Sequence, residues 1–346
     1  MNRITRKLIL SVSACAMTAV CLTSTTYAWF ARNSDAWVDN FKLEIGKHDG
    51  LVISVDGNNY FNAINNTTLF KAIASKRLNK EINEVTDDDI LSVENSILEP
   101  VSTYDLVDFS TVNLNSKIEE GYYVPDKASK NTYLEFDLYF RIDQSKANND
   151  KNYYLTFAYD DDNTTEETKV NGYSYIKGVS ESFKLSNSLS TPTKDYESGE
   201  EIKVNSGDAM RVGVLKSDNE ALIYEPNTGI GSYALENETN DLYNPNKNAM
   251  FTYFNNTHAD KLKPLEDISI DSNKTTFDVY KNTIKSFNNK DNLGTFKKNE
   301  KSYDDVKITV FIWLEGYDSD FIKGLNDNNI TCYLNFMKEE YNDENA

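Results

Sequence analysis

His48 and His258 are the only two imidazoles in the chain, and they lie far apart in sequence. A zinc hydrolase of the H-E-x-x-H kind sets two histidines one helical turn apart, so that both reach one ion while the glutamate serves as base. That motif is absent. So are the G-x-S-x-G nucleophile elbow, the phosphate-cradling glycine loop and the G-x-G-x-x-G fingerprint. Carboxylates are so abundant, with 55 Asp plus Glu, that no pair of them stands out as a glycosidase acid and base. "YDDDNTTEET" (Tyr159 to Thr168) clusters oxygen ligands of the kind calcium takes. It lacks the glycine and the spacing of an EF-hand loop, and reads better as a solvated hairpin tip. In "DSDFIKGLNDNN" (Asp318 to Asn329), Asp318 or Ser319 reads as a helix cap. The expectation is a chain with no catalytic, cofactor-binding or metal-binding residue, and so not an enzyme.

The most informative stretch is instead "TTYAWFARN", Thr25 to Asn33. Upstream stand Arg3, Arg6 and Lys7, then an uncharged run from Leu8 to Leu22. A basic start, a short apolar middle and small residues at Thr26 and Ala28 are the parts of a secretory signal cut between Ala28 and Trp29. The apolar run is short of the roughly 20 residues a membrane helix wants. A retained anchor, with Tyr27, Trp29 and Phe30 as its interfacial belt, is the competing reading. A lipoprotein signal at Val12-Ser13-Ala14-Cys15 is a third, although the apolar run continues past Cys15. Export with residues 1–28 removed by signal peptidase is the expectation, leaving no stable membrane span and a secreted or cell-surface protein.

Composition agrees with that destination. The formal charge of −19 becomes about −22 once the three basic signal residues leave, because residues 1–28 contain no acid. Such a surface repels nucleic acid and anionic lipid. Of Cys15, Cys21 and Cys332, only the last survives cleavage. With no internal disulfide available, an exported chain of this length must rely on a hydrophobic core.

That core must come from strands. "YLEFDLYFRID" places Leu134, Phe136, Leu138, Phe140 and Ile142 on one face and charged residues on the other, the clearest period-two segment in the chain. "LVISVDG", "YYLTFAY", "AMRVGVL", "ALIYE", "VKITVFIWLEG" and "ITCYLNFM" follow suit, the last putting Cys332 on an apolar face. Helices are expected after a Thr67-Thr68 cap, after Thr86, over Phe277, Tyr280, Ile284 and Phe287, and over Asp318 to Leu325. The fold class expected is mainly β: an antiparallel, jelly-roll-like β-sandwich in a single domain, 29–346. Short helical insertions and two long ones, at about 58–131 and 226–305, decorate it.

The seam "TTYAWFARN", the following "GLVISVDG" and the late "VKITVFIWLEGYDSDF" resemble exported proteins with a SipW-type signal. That group includes the TasA/camelysin family of Gram-positive surface and biofilm-matrix proteins. The resemblance implies a jelly-roll core and fibre subunits that pass a mature N-terminal strand to the next copy. Trp29, Phe30 and Trp37 would then belong to the assembly segment, and the partner would be another copy or a related surface protein. It also carries an alternative, a metal-dependent peptidase of camelysin type; the 22 tyrosines, as stacking platforms, independently suggest a sugar-binding adhesin.

Overall fold

The computed structural model describes residues 40–47, 50–96, 98–103, 105–111, 118–119, 122–123, 126–148, 151–158, 173–184, 189–190, 195–225, 284–286, 291–300, 302–316 and 329–341. In chain order the elements open with β1 (Asn40–Lys47), β2 (Leu51–Ser54), helices α1 (Asn66–Leu78) and α2 (Asp87–Glu94), β3 (Pro100–Ser102) and β4 (Ser110–Thr111). Next come β5 (Ile118–Glu119), β6 (Tyr122–Tyr123), β7 (Leu134–Ile142), β8 (Asn152–Phe157), β9 (Tyr175–Lys177) and β10 (Ser180–Lys184). The strands β11 (Leu189–Ser190), β12 (Asp195–Tyr196), β13 (Glu201–Asn205), β14 (Met210–Lys216) and β15 (Ala221–Glu225) follow. The last four are β16 (Ile284–Ser286), β17 (Gly294–Phe296), β18 (Val306–Glu315) and β19 (Asn329–Tyr341).

Two sheets form the body, and the protein is mainly β as the alternating segments imply. The larger is built on the neighbours β14, β18 and β7, with β15 and β16 beyond β14, and with β2 beyond β7. β3 takes the far end of the same β18 edge that β7 occupies, pairing at Leu314 and Glu315. The smaller sheet runs β1, β19, β8, β17, with β9 also on β19. Their facing side chains make one core. Phe140 of β7 meets Phe336 of β19 at 4.8 Å between ring centroids, and Phe157 of β8 meets Tyr224 of β15 edge-on at 5.3 Å. The five apolar residues of β7 that share one face are all buried, while Arg141 on the other face is exposed. Cys332, Leu334 and Phe336 likewise point into the core.

Not every pairing is antiparallel. β1 with β19, β15 with β16 and β18 with β3 are parallel. Ile284 is a strand residue, aligned with Ile223, and not part of the helix its spacing suggested; Phe277, Tyr280 and Phe287 lie outside the described residues. The edge of β15 gave this short segment a ladder, which outweighs a periodicity carried by only four residues. The Asp318 to Leu325 helix also falls outside the described residues.

The second half of β18 is buried on both faces because both are covered. Val310, Ile312 and Leu314 face the other sheet. Phe311 and Trp313 face outward, under chain from the first long insertion. There Phe109 stacks on Tyr133 at 3.9 Å and meets Trp313 edge-on at 5.6 Å. Leu106, in the left-handed region at φ 61°, presses on Gly213, where a Cβ would collide with its Cδ2. The stretch 58–131 therefore supplies a second layer of packing as well as helices. α1 is capped by Asn65, whose Oδ1 accepts from Thr68 N at 2.8 Å, two residues earlier than the threonines suggested. α2 begins at Thr86 with a reciprocal capping box to Asp89.

Candidate functional site

β1 is the first described strand, and its ladder joins it to the last. Its register against β19 runs from Asn40 opposite Asn329 to Lys47 opposite Phe336, eight positions in parallel. The opposite edge of β19 is taken by β9 at Thr331 to Tyr333 and by β8 from Phe336 to Tyr341. β1 therefore ends the sheet, with no strand on its outer edge among the described residues. Residues 48–50 alone connect it to β2, which belongs to the other sheet.

Side chains fix how β1 sits. Ile45 points into the common core and is 6% exposed. The next residue turns to the opposite face, and there it is Gly46. A Cβ on Gly46 would run into the Tyr333 hydroxyl and would lie 2.9 Å from Asn335 Oδ1. Neither neighbour is loose. Asn335 is buried, its Oδ1 accepts from Phe336 N at 3.1 Å, and its backbone N–H donates to Ser174 Oγ at 2.8 Å. Tyr333 packs ring to ring with Tyr175 of β9 at 5.5 Å. The glycine is thus required by close approach, since a tyrosine ring lies diagonally across the edge strand.

Three polar clusters lie elsewhere. On the outer face of β7 and β18, Asp137 Oδ2 is held by Lys76 Nζ at 2.9 Å and Lys307 Nζ at 3.0 Å. Thr309 Oγ1 donates to Asp137 Oδ1 at 2.7 Å. Burial pushes the Asp137 carboxyl up, but these three donors together hold it below the usual aspartate range. Further along, Arg141 grips Asp305 through Nε and Nη2, both at 2.8 Å, and lies 3.9 Å above the Tyr60 ring. Tyr60 donates its hydroxyl to the same carboxylate, and burial with that bond pushes its phenol upward. Third, Arg211 and Glu225 form an ion pair at 3.0 Å with both side chains fully buried, and Trp313 Nε1 donates to buried Glu315 at 3.1 Å. The sequence signal for this last pair is a lone arginine inside the apolar "AMRVGVL".

In each of these clusters a carboxylate is held by protein donors. The described residues include no histidine and a single cysteine, Cys332. Burial pushes its thiol well above the ordinary range. Among the described residues no group of three His, Cys, Asp or Glu side chains gathers for a metal, and no helix is long and apolar enough to cross a membrane. Ala28, Trp29, Phe30 and Trp37 lie outside the described residues, as do His48, His258 and both acidic loops apart from Asn329. No family model, no curated protein and no solved structure matches the chain.

Proposed function

We propose that this chain is a non-catalytic, exported surface or matrix protein that assembles by passing its N-terminal strand to the next copy. The observation that carries the reading is the seating of β1. An edge strand joined to β2 by residues 48–50, held by main-chain bonds and with Ile45 in the core, meets an acceptor that another copy's β1 fits equally well.

Exchange makes no new contact by itself, so the balance needs a source. Each ladder hydrogen bond contributes a net 0.5–1.5 kcal/mol or so, and burying Ile45 about 1.5–3 kcal/mol, whichever copy supplies the strand. The tether favours the closed monomer, because a short linker acts like a local concentration on the order of millimolar. Residues ahead of β1 must tip the equilibrium. The segment "WFARNSDAWVD" brings Trp29, Phe30 and Trp37, which are the side chains able to add contacts on a neighbour. Signal removal would free them.

Light scattering at equal concentration on three forms tests this. The form starting at Trp29 is expected to grow with concentration, while uncleaved chain and a form starting at Asn40, which keeps β1 but loses the aromatics, stay monomeric. Equal growth of the Asn40 form would remove the aromatic lead from the mechanism.

A further inference from the structure

We infer that Gly46 and Tyr333 together select which strand the β19 edge accepts: a segment with an apolar residue at the core-facing position followed at once by glycine. The occupant that fits is Asn40–Lys47 of this chain, from the same copy or, resting on the strand-exchange reading above, from a second copy.

The selection is steric. Backbone pairing alone would let any extended segment add to β19, in either of two neighbouring registers. A slip of one residue would bring Ile45 or Lys47 to the position Gly46 holds, the first of these moving Glu44 into the core place of Ile45. Lys47 would also move Gly46 into the core place of Ile45. Either way a Cβ would meet the Tyr333 ring, which is backed by Tyr175, and the buried Asn335 Oδ1. Only the observed register puts Ile45 in the core and leaves the space under Tyr333 empty of side chain. The same pair of residues thus fixes the register and rejects strands lacking Ile-Gly at these positions.

Strand propensity makes the test clean. Valine is a better strand former than glycine, so Gly46→Val should tighten an ordinary edge strand. Here it is expected to loosen β1. In full-length chain starting at Trp29, studied dilute, hydrogen exchange at the β19 amides that bond β1 should speed up about tenfold or more. The added substitution Tyr333→Ala should restore most of the protection, which a general loss of stability would not do. Gly46→Ala, which adds a single carbon against the Tyr333 hydroxyl and Asn335 Oδ1, should give a smaller change and keeps the measurement open if the valine variant fails to fold. A labelled synthetic peptide of sequence NFKLEIGK should bind the Gly46→Val chain, and NFKLEIVK should not. Unchanged exchange in both Gly46 variants, or equal binding of the two peptides, would overturn the inference. Loosened β1 in variants that assemble as before would leave it standing and sink strand exchange instead.

Discussion

Trp313 is enclosed by Phe109 edge-on, by Glu315 accepting its indole N–H, and by the close approach of Gly213 on the neighbouring strand. Replacing it with alanine removes a fully buried ring and its hydrogen bond to Glu315. Trp313→Ala is expected to cost about 3–5 kcal/mol in chemical denaturation. A loss under about 1 kcal/mol would mean that the outer layer does not pack as described. The sequence placed Trp313 in a buried strand, but could not show on which face. The answer lies in Leu106, Phe109 and Tyr133, which cover that face. Asp137 gives a second measurement at this scale. Its carboxyl is held below the usual value near 3.9, so its contribution is present above that value and is lost as pH falls through the lower folded one. Wild-type stability should therefore drop more steeply below about pH 4 than that of Asp137→Asn. Parallel acid limbs would show that the three donors contribute little.

At the scale of elements, strands with strict alternation were legible: β7 carries its pattern in nine residues and depends little on its neighbours. So was the start of α2, where a threonine followed by three aspartates marks both cap and dipole. Thr86→Ala should cost about 1 kcal/mol, read by denaturation together with faster exchange in the first turn of α2. An effect near zero would mean that Lys80, which holds Asp89 at 2.7 Å, secures the helix start unaided. Pairing was not legible. Periodicity says which residues share a face, never which strand lies beside which, and β1 and β19 come from opposite ends of the described chain. The parallel ladders and the β16 strand depend on such long-range adjacency.

At the scale of the whole molecule, the proposed exchange takes β1 from its own β19 to that of another copy. The register offers a direct probe, because Leu43 lies opposite Cys332. Neighbouring strands run about 4.7–4.9 Å apart, within the Cα separation of roughly 4.4–6.8 Å that a disulfide bridges. Chain starting at Trp29 has Cys332 as its only native thiol, so Leu43→Cys makes a single new pair. Oxidant added while concentrated protein assembles is expected to produce a ladder of covalent dimers, trimers and longer species on a non-reducing gel. The same chain oxidised dilute should give internally linked monomer. Assembled material that yields only internally linked monomer would contradict strand exchange.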